Sequence, residues 1–274
     1  MTKGFIIYSE EDVEKNRKFV SMCTENFAKD HIVLELKVIR DDKWQEIIRE
    51  AEREKISFVI NRSRNYHISR KLEDMGIRVF NNSRVTEVCN NKWDTYNMAK
   101  RLEIPVMHTE PGDEGREATL NNLEYPKVIK SCNGHGGDEV FLVSNDAEKN
   151  EAVSKIRGEY IVQDYANAEG RDIRAYIISG ECVIAMCRTA KQGFKSNFSL
   201  GGRAEKCELG EKEKGIVKKI CDELKPDYIG IDFIYDGNRV VLNEIEDAVG
   251  ARMVYENTDM NIVEKFTDDI KEKL

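Results

Sequence analysis

Apolar positions in the first third of the chain switch between two periods. Gly4–Tyr8 and Ile32–Leu36 are short apolar-rich runs of the kind that form strands, while Val13, Val20, Cys23 and Phe27 between them recur at helical spacing. Ser57–Ile60 and Ile77–Phe80 repeat the strand pattern. Strand and helix in alternation predict a parallel sheet with crossover helices, an α/β module over residues 1–90. It contains no Gly-x-Gly-x-x-Gly, so no dinucleotide site is expected in it.

The pattern changes at Asn91. Lys92 to Leu102 reads as a helix that ends at Ile104-Pro105, because proline disfavours helix in the residue before it. Lys127–Ser131 and Glu139–Val143 read as strands separated by Asn133-Gly134-His135-Gly136-Gly137-Asp138. These define a central unit over residues 91–159. From 160 to 274, Ile161–Asp164, Ile173–Ile178 and Cys182–Arg188 read as strands and Lys191–Arg203 as a polar loop. Ile216, Val217, Ile220 and Leu224 mark an amphipathic helix, Ile229–Tyr235 and Arg239–Glu246 a hairpin, and Ile262, Phe266, Ile270 and Leu274 a closing helix.

Composition narrows the function classes. The chain has 274 residues, 40% hydrophobic and 34% charged, with a net charge of −8. That balance speaks against nonspecific nucleic-acid binding, which needs a basic surface. No stretch approaches the ~20 apolar residues of a membrane span, and the start reads as a strand rather than a signal peptide. Seven cysteines, an odd number without Cys-x-x-Cys, read as reduced thiols of a cytoplasmic protein. Cys182 and Cys187, five apart on one strand, should point to opposite faces.

Chemistry concentrates in the last third. Glu244 and Glu246 are two apart and share one strand face. Asp232 lies on the preceding strand, and the turn decides whether it joins them. A two-residue Asp236-Gly237 loop puts Asp232 on the opposite face, whereas a three-residue Asp236-Gly237-Asn238 loop puts it on theirs. Three carboxylates on one half-buried face repel one another unless cations sit among them, and hard Mg²⁺ suits such oxygens. A solvated acidic face is the other reading of the same residues. The glycine loop after Lys130 lets backbone N–H groups approach phosphate oxygens, although a plain hairpin connection fits it too, and it is not a Walker A motif. Arg171-Asp172-Ile173-Arg174, Arg188, Lys195-Ser196-Asn197 and Gly201-Gly202-Arg203 add cations and amides nearby; surface ion pairs would explain each singly.

In this order the motifs resemble the ATP-grasp superfamily and, within it, the RimK-like amino-acid ligases. The resemblance is strong from about Asn81 to Asp259 and rests on Asn91-Lys92, Leu102-Glu103-Ile104-Pro105, Pro126-Lys127-Val128-Ile129-Lys130, the glycine loop, Gln163-Asp164-Tyr165, Asp172-Ile173-Arg174, Lys195-Ser196-Asn197, Gly201-Gly202, Asp232 and Asn243-Glu244-Ile245-Glu246. It implies a Rossmann-like pre-ATP-grasp module followed by two α+β subdomains that clasp ATP. Lys92 and Lys130 would contact phosphates, with Gly134, Gly136 and Gly137 folding over them as a lid. Gln163, Asp164 and Tyr165 would receive adenine. Asp172, Lys195, Ser196 and Asn197 would complete the nucleotide contacts. Asp232, Glu244 and Glu246 would hold two Mg²⁺, with Mn²⁺ as a substitute, and Arg188 would steady the transferred phosphoryl group. Arg203 and Arg252 are the candidates for a substrate carboxylate, with balancing of Glu205, Asp247 and Glu256 as the alternative.

The chain departs from the family pattern at Glu246, where asparagine is usual, at Lys195 for arginine and at Ser199 for histidine. It departs again over Asp247-Ala248-Val249-Gly250-Ala251-Arg252. These positions surround the acceptor side, so glutamate is not assumed as substrate. The implied reaction joins a small-molecule or peptide carboxylate to an amine through an acyl phosphate, releasing ADP, with Lys130 and Arg188 as the catalytic cations. Other ATP-grasp chemistry (a kinase or a thioester-forming ligase) and a non-catalytic nucleotide-binding regulator are the alternatives. A homo-oligomer is compatible with the sequence. Arg62, Arg64 and His67 of the first module either help bind a substrate or form surface ion pairs.

Overall fold

The computed structural model describes residues 2–112, 123–137, 139–166, 170–189 and 203–274. In the first module β1 (Lys3–Ser9) leads through short helical turns, α1 (Glu10–Val13) and a 3-10 turn, into α2 (Arg17–Lys29). Then follow β2 (Val33–Ile39), α3 (Trp44–Glu54), β3 (Phe58–Asn61), α4 (Tyr66–Asp74), β4 (Arg78–Phe80) and α5 (Ser83–Cys89). The four strands form one parallel sheet in the order β2-β1-β3-β4, as the alternating periods predict.

The central unit begins with α6 (Lys92–Arg101), capped by Asn91, whose side chain accepts from Trp93 N and Asp94 N. It continues with β5 (Thr109–Gly112), β6 (Lys127–Ser131), β7 (Val140–Val143), α7 (Asp146–Lys155) and β8 (Tyr160–Asp164), which pair as an antiparallel sheet in the order β5-β8-β6-β7. The third unit comprises β9 (Arg171–Ile178), β10 (Glu181–Thr189), β11 (Arg203–Cys207), α8 (Glu211–Leu224), β12 (Tyr228–Asp236), β13 (Arg239–Glu246), α9 (Arg252–Asn257) and α10 (Ile262–Glu272). Its strands lie in the order β11-β10-β9-β12-β13.

The first and third units share a core. Ile6, Tyr8, Phe19 and Phe27 pack in one buried cluster with Tyr176, Tyr228, Val249, Val254 and Phe266. The other face of the five-stranded sheet buries Ile173, Ala175, Ile177, Ile229 and Ile231 against Ile216, Val217 and Ile220 of α8. The central sheet has a smaller core of its own around Ile129, Val143, Ala152 and Val162. Among the described residues no helix is long and apolar enough to cross a membrane.

Two local readings need correction. Asp236 pairs with Arg239, so the β12–β13 turn has two residues, Gly237 and Asn238, rather than three. A bulge then inserts Asn243, so that Phe233 faces Leu242 but Asp232 faces Glu244. The carboxylates do share a face, but through the bulge and not the loop length. A second irregularity between Cys182 and Ile184 has the same kind of effect. Cys182 stands opposite Ile177 and Cys187 opposite Ile173, which puts both thiols on one face instead of two.

Candidate active site

The site is built on the face of the five-stranded sheet opposite α8. In antiparallel strands directly opposed residues project to the same side. Arg188 of β10 faces Asp172 of β9, Arg174 of β9 faces Asp232 of β12, and Asp232 faces Glu244 of β13. Glu246, two residues on, faces Gly230. A methyl at Gly230 would stand 2.7 Å from a Val249 methyl and 3.6 Å from Arg174 Cδ, so the missing side chain leaves room beside the arginine.

These side chains make one ionic network. Arg174 donates from Nε to Asp232 Oδ1 and from Nη2 to Asp232 Oδ2, both at 2.7 Å, and from Nη2 to Glu246 at 2.6 Å. Arg188 forks onto both oxygens of Asp172 at 2.5 Å and reaches Asp232 Oδ2 at 2.7 Å. Burial alone would raise the Asp232 carboxyl, but Arg174 and Arg188 hold it down to about 2. Glu246 is shifted the other way: burial raises it, with Asp232 and Glu244 adding to the effect against the pull of Arg174.

A second wall comes from the central unit. Lys92, on the first turn of α6, donates to Gly134 O at 2.5 Å and lies 3.1 Å from Glu244 Oε1. It thereby ties the glycine loop to the carboxylates. Gly136 and Gly137 have φ of +67° and +82°, backbone that glycine adopts without strain. Lys130 on β6 donates to Gln163 Oε1 at 2.8 Å and to Asn243 Oδ1, the bulge residue, at 3.1 Å. Burial lowers its ammonium to about 8, Lys92 pushes it the same way and Glu244 opposes. Lys127 holds Asp164 at 2.5 Å.

Between the walls lies a cleft of about 600 Å³. Its lining includes the expected Lys92, Lys130, Gly134, Gly136, Gly137, Gln163, Asp164, Tyr165, Asp172, Arg188, Asp232, Glu244, Glu246 and Arg252. Lys195, Ser196 and Asn197 lie outside the described residues. Arg203 does not line the cleft; it sits on β11 with an 83% exposed side chain, 3.6 Å from Glu205, as its balancing alternative required. Arg62 is buried, donating to Tyr8 Oη at 2.6 Å and Val249 O at 2.7 Å, while Arg64 pairs with Asp12 and His67 is exposed. None of the three lines the cleft.

Sequence reasoning missed several lining residues. Arg174 belongs to the Asp172-Ile173-Arg174 motif but carries no assigned role in the sequence reading, and its position opposite Asp232 makes it the centre of the network. Its place two residues beyond Asp172, on the same strand face, was the available signal. Asn243 becomes visible only once the bulge is known. Lys15, Asn16 and Phe19 of the first module reach the cleft through tertiary packing alone.

The carboxylates suit a hard divalent cation. Asp232, Glu244 and Glu246 each bring an oxygen within 4.8 Å of the others. Asp232 has both oxygens engaged by guanidinium groups, whereas the Glu244 and Glu246 side chains are 29% and 32% exposed and open to the cleft.

The profile of the RimK-like ATP-grasp domain matches residues 89–270. The chain belongs to the RimK-like ATP-grasp family. It is a carboxylate–amine ligase of the ATP-grasp class, and the match takes in the arginine–carboxylate network, Lys92 and Lys130 but not the first-module residues Lys15, Asn16 and Phe19 of the cleft. The Mycoplasma genitalium protein MG011 is 30% identical to it over 99% of this chain and 96% of its own length. Human N-acetylaspartylglutamate synthase A is 32% identical over 64% of this chain, which spans 47% of that synthase. D-alanine–D-alanine ligase from Bacillus anthracis shares the fold, with a TM-score of 0.80 at 15% identity over 99% of this chain and 97% of that one.

Proposed function

We propose that the cleft binds ATP with Mg²⁺ and that the protein joins a carboxylate to the amine of an amino acid or peptide. The observation that carries this reading is the single sheet face on which Arg188 and Arg174 stand among Asp172, Asp232, Glu244 and Glu246, opposite Lys92 and Lys130. Lys15, Arg171 and Arg252 line the same cleft with Asp164, so its cations outnumber its carboxylates and it is net positive. A triphosphate is drawn to that excess, and divalent ions beside the carboxylates would offset the rest of its charge.

In this reading Glu244 and Glu246, with Asp232 behind them, hold Mg²⁺, which supplies charge neutralisation at the phosphates. Lys92 and Lys130 face the phosphates, and Lys92 can exchange its bond to Gly134 O for one to an anion. Gln163, Asp164 and Tyr165 receive the base. Arg188 is oriented by its fork onto Asp172 and keeps one terminal nitrogen for the transferred phosphoryl group. The glycine loop closes over the acyl phosphate and keeps water from it.

Several relatives are named for glutamate-containing products or for glutamate ligation: β-citrylglutamate synthase B, N-acetylaspartylglutamate synthase A and a probable α-L-glutamate ligase of Haemophilus influenzae. An amino-acid amine fits that company. Arg252 is at the start of α9 and lines the cleft, which supports assigning it to a substrate carboxylate. The departures at Glu246 and over 247–252 leave the identity of the substrates open. The test is ADP release against pooled carboxylates and amines, with mass spectrometry of the product. ADP release that requires both pools and yields an amide supports the reading. Turnover that never needs an amine, with a phosphorylated or thioester product, overturns it.

A further inference from the structure

The first module ends in an open sheet edge. In the order β2-β1-β3-β4, β4 turns toward the rest of the molecule, where Arg78 reaches Asp227 at 2.8 Å. Among the described residues β2 has a neighbour strand on one side only. Val33 N donates to Thr2 O at 3.0 Å, so the backbone groups of Val33, and with them those of Glu35, Lys37 and Ile39, turn toward β1. The N–H and C=O groups of Leu34, Leu36 and Val38 turn outward. Two of the three exposed large apolar side chains among the described residues also lie on this strand: Val33, 38% exposed, and Leu36, 40% exposed.

An unprotected edge of seven residues is a template for another strand. Its side chains say which one. Antiparallel pairing of β2 with itself about Leu36 sets Leu36 opposite Leu36, Leu34 opposite Val38, and Glu35 opposite Lys37 of the second copy. The outward-turned residues then pair with one another, as hydrogen bonding requires. On one face the contact is apolar. On the other, Glu35 of each copy meets Lys37 of the second, so the ion pair occurs twice. Centring the pair on Glu35 or on Lys37 instead would put like charges face to face, which is unfavourable. The sequence Leu34-Glu35-Leu36-Lys37-Val38 is thus self-complementary in a single register.

We propose that β2 is the self-association edge of this protein: two copies pair their β2 strands antiparallel about a two-fold axis at Leu36, joining two four-stranded sheets into one of eight. The interface is isologous, since the same strand serves both copies. It lies on the edge opposite β4, away from the junction with the ATP-binding units, and is independent of which substrates the cleft takes. Glu35 and Lys37 already bond within the molecule, to Lys3 at 2.6 Å and Glu50 at 3.0 Å, so they are held beside the edge before pairing.

The experiment is sedimentation of the full chain with a charge-swap series. The parent should be a dimer at micromolar concentration. Glu35→Lys and Lys37→Glu should each raise the dimer dissociation constant about tenfold or more, since each sets like charges face to face at two symmetric places. Glu35→Lys with Lys37→Glu in the same chain should restore dimerisation. Should a single swap fail to fold, Leu36→Cys decides the matter. Under mild oxidation it should give a covalent dimer, because paired strand residues stand within disulfide reach, whereas Val33→Cys, which faces Ile39, should not. A monomeric parent, a dimer indifferent to the single swaps, or equal cross-linking at both cysteines overturns the proposal.

Discussion

Lys130 carries its charge in a place that resists it. Burial brings its ammonium down to about 8 from the ordinary 10.5. Below that value the free protein presents a cation to the phosphates, and as pH rises through it the cation is lost. We therefore expect kcat/KM for ATP, which reports the free enzyme, to fall above about pH 8. Lys130→Met should weaken ATP binding by ~1.5–3 kcal/mol and abolish that limb of the profile. Calorimetry on a folded mutant with unchanged affinity would remove Lys130 from the phosphate site. Asp232 and Glu244 should separate in the opposite sense, although both were read as metal ligands from spacing. Asp232 is buried between two guanidinium groups, so its loss leaves uncompensated buried charge and should cost about 3–5 kcal/mol of stability in Asp232→Ala. Its carboxyl lies below the ordinary range, so this stabilisation is present at neutral pH and is lost as pH falls toward about 2. Glu244, partly exposed and paired with Lys92, should cost about 1 kcal/mol or less as Glu244→Gln while turnover collapses. Melting curves beside activity assays read both; equal destabilisation by the two mutants would mean that Glu244 is structural.

The hairpin of β12 and β13 shows where element-level reasoning stops. Periodicity located both strands, because each carries a run of apolar residues: Ile229, Ile231 and Phe233 on β12 are buried in one cluster with Val240, Leu242 and Ile245 of β13. It could not locate the bulge at Asn243, since one inserted residue leaves the composition of either strand unchanged and only shifts which residues oppose each other. The thiols of Cys182 and Cys187 were misassigned for the same reason. Charged residues on a sheet face were legible as motifs, but their pairing across β9, β10, β12 and β13 is a property of register. The same gap separates the glycine loop as a motif from the loop as a lid. Lys92 ties it to α6 through a bond to Gly134 O, and Gly136 and Gly137 bring no side chain to it. Residues 133–137 (Asp138 lies outside the described residues) should exchange their amides faster than β6 in the free protein and slow markedly with an ATP analogue and Mg²⁺. Exchange that nucleotide does not alter would reduce the loop to a hairpin connection.

Across the whole molecule, the division into three modules at 90 and 160 describes the chain better than it describes the packing. Nothing in the apolar pattern of residues 1–90 reveals that Tyr8, Phe19 and Phe27 share a core with Tyr228 and Phe266, because periodicity reports which side of an element is buried and not against what. Arg62 makes the joint specific. Its guanidinium lies over the Phe19 ring at 4.2 Å, donates to Tyr8 Oη within the first module, and donates to Val249 O in the third. Val249 begins the segment that leads through Gly250 and Ala251 into α9 and Arg252, on the cleft wall. Arg62→Met keeps the apolar stem but orphans a buried carbonyl and a buried hydroxyl, at roughly 1–3 kcal/mol for each partner left unsatisfied. We expect the parent to melt the first and third units in one transition, with amides of β1 and β9 protected to the same free energy. The smaller core of the central unit should open at lower cost. Arg62→Met should lower the shared transition without splitting off the central unit further, and it should raise the KM for the carboxylate substrate more than that for ATP, because it loosens the segment bearing Arg252 rather than the phosphate wall. Hydrogen exchange in which β1 opens well before β9 in the parent protein would show the first module to be an independent unit, and the clamp at Arg62 would then have no part in shaping the cleft.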